Sequence, residues 1–256
     1  MKPIWRRQQV EDLALITLLD FRRQTGLPLT PPLDVDLVGE ITCRLQWDWD
    51  VLQEPPGTLI WAALFPEERS VVLNEAHKDR FAEKSGLERF TKGHEIGHWI
   101  LHVKEKGDLD PAHATPQQQI FCRGGETHAV NWVEKHADWF AGALLMPASV
   151  FVPIAEQYDL AEWKSLYELA KLFDVTISAL CVRLAHLGLS YVDENGHLQA
   201  PPVVSAQAHN NNSHHSPLPH HCLPRRKAAP QQARRHPTPI PVATTTKTNR
   251  ESVNPR

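Results

Sequence analysis

The first part of the chain carries apolar residues at the spacing of an amphipathic helix. Residues 10–24 hold one apolar stripe that ends before Gly26 and Pro28, and this pattern predicts a helix. The stripe consists of Val10, Leu13, Leu15, Ile16, Leu18, Leu19 and Phe21. The next segment, "TPPLDVDLVGEITCRL", begins with prolines suited to a helix start and then repeats apolar residues at helical spacing. It therefore predicts a second helix.

Two short segments have the composition of β-strands. The sequences "TLIWAALF" and "SVVLNE" are rich in β-branched and aromatic residues and are separated by "PEER", which predicts a hairpin. Near residue 195, "LSYVDENGHLQA" contains Asn195-Gly196, a dipeptide typical of tight hairpin turns. The folded part of the chain is predicted to end with this second hairpin.

Two longer segments predict the central helices of the fold. "LERFTKGHEIGHWILHVK" and "AVNWVEKHADWFAGALLMP" each place their apolar residues on one side of a helix, and Pro147 ends the second. Residues 104–130 between them are polar and predict a long surface loop. Two further helices are predicted in "WKSLYELAKLF" and "TISALCVRLAHLG". The sequence thus predicts a mostly helical α+β domain with a small antiparallel sheet.

Residues 201–256 differ from the rest in composition. They contain 10 of the 21 prolines and none of the Trp, Phe or Tyr residues. Such a segment buries too little apolar surface to offset the loss of chain entropy, so it is predicted to be disordered. The predicted domains are a folded domain at residues 1–200, with its core at residues 10–190, and a disordered Pro/His-rich basic tail at residues 201–256.

Charge is divided unevenly between these two parts. The tail holds eight Lys and Arg residues against one Glu, a net charge of +7, while the whole chain has a net charge of −3. By difference (−3 minus +7), residues 1–200 carry a net charge of −10. An acidic folded part argues against a general nucleic-acid binder, and no specific nucleic-acid binding is expected.

The cysteine positions and the hydropathy favour a cytoplasmic protein. The four cysteines lie far apart in the sequence and include no C-x-x-C pair, which is more typical of reduced thiols than of a disulfide framework. No uninterrupted apolar run approaches the ~20 residues needed to span a bilayer, and the N-terminal residues lack a signal-peptide pattern. We therefore expect a soluble cytoplasmic chain without a membrane partner.

The segment "GHEIGHWILH" has the spacing of a catalytic metal site. On a helix, His94 and His98 project from one face about one turn apart, so two imidazoles can bind one Zn²⁺. Glu95 is turned about 100° from His94 and can act as a general base toward a metal-activated water. This is the chemistry of a metallopeptidase. The longer metzincin pattern is absent, because Leu101 and Lys104 stand where it requires Gly and His.

A catalytic zinc needs a third protein ligand. Glu134 is the leading candidate, because it lies on the second predicted central helix with Asp138 one turn later on the same face. A carboxylate opposite two histidines completes a His₂Glu site, and the second carboxylate can accept a hydrogen bond from a ligand imidazole. The alternative is that both carboxylates only form the solvated side of an amphipathic helix. Other candidate ligands are His102, His128 and His136.

The two central segments together resemble a known family. "RFTKGHEIGHWILH" followed by "WVEKHADWFAGALLMP" is similar to the ImmA/IrrE family of zinc metallo-endopeptidases. That family has an F-T-x-x-H-E-x-G-H helix followed by a helix of the form E-x-x-A-[ND]-x-F-A-x-x-L-L-M-P. The first pattern is filled here by Phe90, Thr91, His94, Glu95, Gly97 and His98. The second is filled by Glu134, Ala137, Asp138, Phe140, Ala141, Leu144, Leu145, Met146 and Pro147. The resemblance extends over residues 10–190.

The resemblance implies a zincin-like metallopeptidase domain and specific roles for the site residues. It implies His94, His98 and Glu134 as zinc ligands and Glu95 as the catalytic base. The spacing from Glu134 to Asp138 is also similar to that of thermolysin-like zincins, in which the aspartate supports a ligand histidine. Family members often cleave a helix-turn-helix repressor and so relieve transcriptional repression, sometimes during stress or mobile-element induction. A site-specific protease acting in transcription regulation is therefore the implied function, and a repressor is the implied partner.

Two alternatives come from other functional classes. The first is a non-catalytic regulatory module that keeps the fold and the zinc and sequesters a transcription regulator, although an intact Glu95 argues against it. The second is a helix-turn-helix within "ELAKLFDVTISALCVRLAHLG". Its second helix offers only Arg183 as a cation and is otherwise apolar, so packing is the favoured interpretation.

Overall fold

The computed structural model describes residues 5–103, 120–124 and 131–200. These residues contain eight α-helices and two sheets, as the α+β prediction requires. The helices are α1 (Arg7–Thr25), α2 (Val35–Val38), α3 (Lys78–Glu83), α4 (Ser85–His98), α5 (Trp132–Leu145), α6 (Ala148–Ala155), α7 (Trp163–Phe173) and α8 (Ile177–Leu187). The strands are β1 (Gln46–Asp50), β2 (Leu59–Phe65), β3 (Ser70–Asn74), β4 (Ile120–Gly124), β5 (Tyr191–Val192) and β6 (Leu198–Gln199). The predicted disordered tail at residues 201–256 lies outside the described residues.

The larger sheet has the strand order β1-β3-β2-β4. The predicted hairpin is present, since β2 and β3 pair antiparallel with Phe65 opposite Ser70. Strand β4 also pairs antiparallel with β2, but β1 pairs parallel with β3. The prediction of an antiparallel sheet is therefore right for two of the three strand pairs, and the sheet is mixed. The second sheet is the predicted hairpin of β5 and β6.

Strands β1 and β4 were not predicted from the sequence. Strand β4 lies within residues 104–130, so the prediction of a surface loop over this whole segment is wrong at residues 120–124. The physical reason is that β4 obtains its hydrogen bonds from β2, which lies some sixty residues earlier in the chain (Ile60 opposite Arg123). A local polarity pattern does not reveal such a distant partner.

Helices α4 and α5 form the centre of the fold. They contact each other more extensively than any other pair of elements, and α1 packs against α5 while β2 packs against α4. The core that surrounds them is apolar and includes Phe21 from α1, Leu64 from β2 and Phe140 from α5. Both helices are thus held on several sides, which fixes any side chain that they project toward each other.

The buried position of Arg183 favours packing over a helix-turn-helix as the role of the last two helices. It lies on α8 and is only 1% exposed, and both of its terminal nitrogens donate to the carboxylate of Glu11 on α1. Its Nε also donates to the carbonyl of Met146 at 2.9 Å. The one cation of the supposed recognition helix therefore ties α8 to α1 and to the end of α5, in agreement with the packing interpretation.

No single helix among the described residues has both the length and the apolarity needed to cross a membrane. Helices α5 and α6 meet the criterion of length and composition only when they are counted together, across a bend of 63°.

The ion pair between Glu11 and Arg183 gives a stability prediction. Glu11→Ala leaves a buried guanidinium without its carboxylate, so we expect the free energy of unfolding to fall by about 3 kcal/mol. Urea denaturation followed by circular dichroism measures this loss. Asp12→Ala on the exposed side of the same helix is the matched control, with an expected change within about 0.5 kcal/mol. An equal decrease in the free energy of unfolding of the two variants would contradict a stabilising role for the ion pair between α1 and α8.

Candidate metal centre

Helix α4 carries two histidines and one glutamate in its last two turns. His94 is 3% exposed, and Glu95 and His98 are 0% exposed. The helix continues beyond His98 as a π-helical turn, Trp99–Val103. Polar side chains of this kind are rarely buried without partners, so their burial indicates a binding site.

Helix α5 places a carboxylate opposite these histidines. The side chain of Asn131 caps the helix by accepting a hydrogen bond from the Val133 N–H at 3.1 Å. Glu134 follows in the first helical turn, and Asp138 lies one turn later. Asparagine is a preferred N-cap because its short side chain satisfies a backbone N–H that the helix itself leaves open.

The side chains of His94, His98 and Glu134 meet at one point. The Nε2 atoms of the two histidines are 2.9 Å apart. Glu134 Oε2 lies 3.2 Å from His94 Nε2, and Glu134 Oε1 lies 3.6 Å from His98 Nε2. Ligand atoms on one tetrahedral zinc lie roughly 3.3 Å apart, given metal–ligand distances near 2.0–2.1 Å. The three residues thus form a group that could hold a metal ion, with its ligand atoms within 4.8 Å of one another.

Asp138 contacts the ring nitrogen of His94 that faces away from this group. Its Oδ1 lies 2.9 Å from His94 Nδ1. A carboxylate accepts hydrogen bonds, so Nδ1 carries the proton and donates it, and the Nε2 of a neutral His94 keeps its lone pair. The bond therefore holds His94 in the tautomer and orientation that a metal ligand requires.

The pKa values of two of these residues favour the forms that bind a metal. In the absence of a metal ion, burial raises the pKa of Glu134, but the adjacent imidazoles of His94 and His98 outweigh burial and hold this pKa well below its usual range. Burial lowers the pKa of His98, against the opposing effect of its hydrogen bond with Glu134. A charged carboxylate and a neutral imidazole are the protonation states that coordinate metal ions.

Glu95 is buried beside this group without a hydrogen-bond partner among the described residues. Both of its carboxylate oxygens are inaccessible and unpartnered. Burial raises its pKa to about 8, while the charge of His94 lowers it and that of Glu134 raises it further. An isolated buried carboxylate is costly in free energy, so a cation at the neighbouring ligand group would stabilise it. This unpartnered carboxylate, together with the two-imidazole, one-carboxylate donor set, fits a divalent metal.

The two helices can approach closely because α4 has glycine where they cross. A Cβ atom on Gly97 would lie 3.1 Å from the Cα and the carbonyl oxygen of Ala137 and from the Cβ of Phe140. A Cβ on Gly93 would meet Ala141 at an ordinary distance of 3.4 Å. Gly97 therefore sets the distance between the helix with the two histidines and the helix with Glu134. The sequence carried a signal for this role, since a glycine inside a helix often has a packing reason.

The other candidate ligands do not join the group. His102 directs Nε2 toward the carbonyl of Val133, at 3.2 Å. His136 is buried, and its ring contacts those of His102, Trp132 and Trp139. His128 lies outside the described residues. Of the residues named from the sequence, the structure brings His94, His98, Glu134, Asp138 and Glu95 together.

One family model matches the part of the chain that contains the site. A family model described as "Peptidase_M78: IrrE N-terminal-like domain" matches residues 71–185, a segment that contains all five of these residues. Among solved structures, the chain is similar to a Mycobacterium tuberculosis transcriptional regulator, with 18% identity and a TM-score of 0.43. The similarity covers 73% of this chain and 54% of that protein, so this chain spans about half of that protein's length. No curated protein matches the chain.

The glycine at the helix crossing gives the second prediction. Gly97→Ala forces α4 and α5 apart, so we expect the free energy of unfolding to fall by about 1–3 kcal/mol and zinc binding to weaken. Gly93→Ala is the matched control, because its new methyl group has room and alanine favours the helix by up to about 1 kcal/mol. Urea denaturation of the metal-free protein and zinc competition titration measure both effects. Equal behaviour of the two variants would show that the crossing does not set the site.

Proposed function

The chain belongs to the ImmA/IrrE family, whose peptidase M78 domain it carries at residues 71–185, and from this premise we propose that it is a zinc-dependent endopeptidase. The observation that carries the proposal is the position of Glu95. It is a buried carboxylate without a hydrogen-bond partner among the described residues, next to the ligand group of His94, His98 and Glu134. A binding module that kept zinc only for its structure would have no need of such a residue.

In this proposal His94, His98 and Glu134 hold the zinc ion. When bound, zinc supplies Lewis acidity toward the carbonyl of a peptide bond and toward a water molecule. The three ligand residues fix the ion in the crossing of α4 and α5. Three protein ligands are the number typical of catalytic rather than structural zinc sites.

Glu95 acts as the general base and then as the acid. Its carboxylate accepts a proton from the water as the oxygen forms a bond to the carbonyl carbon. It then donates that proton to the amide nitrogen as the carbon–nitrogen bond breaks, so that one carboxyl and one amine are released. In the absence of a metal ion, burial raises the pKa of Glu95 to about 8. A cation at the neighbouring ligand group favours the charged carboxylate, which is the form that accepts a proton.

Asp138 keeps the imidazole of His94 in place during this reaction. Its hydrogen bond to Nδ1 maintains the protonated Nδ1 tautomer and limits rotation of the ring. Asp138 is therefore a positioning residue, and it touches neither the water nor the substrate in this proposal.

We further propose that the substrate is a helix-turn-helix transcriptional repressor, that cleavage relieves repression during stress, and that the chain acts in the cytoplasm. The support for this substrate class is the family resemblance of the two central helices. The alternative function, a zinc-containing module that sequesters a regulator without cleaving it, differs from the proposal in the use of Glu95.

The decisive variant is Glu95→Gln, which keeps the shape of the side chain and removes its ability to accept a proton. We expect it to bind zinc as wild type does and to lose about 10²–10⁴-fold in cleavage rate. The assay incubates the zinc-loaded full-length chain with a helix-turn-helix regulator encoded beside its gene and follows the fragments by mass spectrometry. Glu83→Gln, at an exposed position of α3, is the matched control and should cleave at the wild-type rate.

The possible outcomes separate the two functions. If Glu95→Gln cleaves as fast as wild type, the proposed mechanism is wrong. If wild type binds the regulator tightly and leaves it intact, the sequestering module is the correct function.

A further inference from the structure

His102 is the third histidine of α4 and its extension, and it makes a contact that the ligand group does not explain. Its Nε2 lies 3.2 Å from the carbonyl oxygen of Val133. A carbonyl only accepts hydrogen bonds, so His102 Nε2 carries the proton and donates it. Val133 is the residue immediately before Glu134, and its carbonyl belongs to the peptide group that joins the two residues.

This hydrogen bond lies in the first turn of α5. Glu134 lies in the first turn of the helix, where helices fray most readily because their end groups lack intrahelical partners. The N–H of Val133 is held by the cap residue Asn131 at 3.1 Å. With His102 on the carbonyl, both polar groups of Val133 have side-chain partners. Hydrogen bonds to the N–H and to the carbonyl of Val133 thus hold the turn that carries Glu134.

The ring of His102 also contacts the metal-binding side of α4. Its centroid lies 5.5 Å from that of His98. On the α5 side it lies 6.0 Å from the ring of the buried His136. One side chain therefore links the ring of His98 to the backbone next to Glu134. The π-helical turn that follows His98 is the segment that brings His102 to α5.

We propose that His102 is a positioning residue that sets the place of Glu134 relative to His94 and His98. The need for such a residue follows from the geometry of the site. The two histidines share one helix, whereas Glu134 lies on another, so its position relative to them depends on the contacts that hold the two helices together. A metal site tolerates displacements of only about 0.5 Å. This inference rests on the proposed zinc site and adds to it a residue outside the ligands.

The test uses two substitutions of equal length. His102→Gln retains an N–H that can donate to the Val133 carbonyl, whereas His102→Met fills similar space without a donor. Hydrogen-bond partners outside the ligands affect metal affinity by about 10–100-fold. We expect His102→Met to weaken zinc binding by about 10-fold, while His102→Gln stays within about 3-fold of wild type.

Zinc affinity is measured by competition with a chromophoric chelator, so the result does not depend on a substrate. The absorption spectrum of the cobalt-substituted protein provides a second readout, because it changes when the ligand geometry changes. Urea denaturation of the metal-free variants separates a loss of the site from a loss of the fold. His197→Met is the matched control, since His197 lies in the β5–β6 hairpin and its side chain is 73% exposed.

Three results would overturn the inference. The first is wild-type zinc affinity and an unchanged cobalt spectrum in His102→Met. The second is equal weakening in His102→Met and His102→Gln, which would assign the effect to ring packing. The third is a loss of folding stability without any change in zinc affinity. If wild type binds no zinc at all, the proposed function fails directly and this inference fails with it.

Discussion

The close crossing of α4 and α5 at Gly97 is the constraint on which the site depends. The histidines and Glu95 lie on one helix, and Glu134 and Asp138 lie on the other. A side chain at Gly97 would meet the backbone of Ala137, one turn from the start of α5. The ligand distances of 2.9–3.6 Å exist only at this separation of the helices. The packing of α1 and β2 around the pair, and the contact of His102 with α5, serve to maintain it.

Electrostatics at the crossing then separates the roles of two glutamates that lie close together. Glu134 is paired with two imidazoles, which hold its pKa low and keep it charged. Glu95 has no such partner among the described residues, and burial raises its pKa to about 8. One carboxylate is therefore suited to binding a cation and the other to carrying a proton. Pairs of titratable groups whose environments move their pKa values apart are typical of acid–base catalysis.

The sequence predicted those parts of the structure that depend on local spacing. His94 and His98 are one turn apart on any α-helix, and Glu134 and Asp138 repeat that spacing. The sequence therefore predicts the helix face that carries each pair, whereas the contact between the two faces is seen only in the structure. The sequence did not predict β4 or the parallel pairing of β1, because both depend on partners distant in the chain. It also did not predict the role of His102. His102 was a candidate ligand on the sequence alone, and only the fold brings it to the carbonyl of Val133.

The most direct test of the account is X-ray absorption spectroscopy at the zinc edge on the purified, zinc-loaded chain, with metal content measured on the same sample. We expect one zinc per chain, bound by two imidazole nitrogens and by oxygen, with metal–ligand distances of about 2.0–2.2 Å. In Glu134→Gln the metal content should fall, while the two imidazole contributions remain in whatever zinc is retained. A coordination shell with sulfur or with three or more imidazoles, or a chain that binds no zinc, would contradict the account.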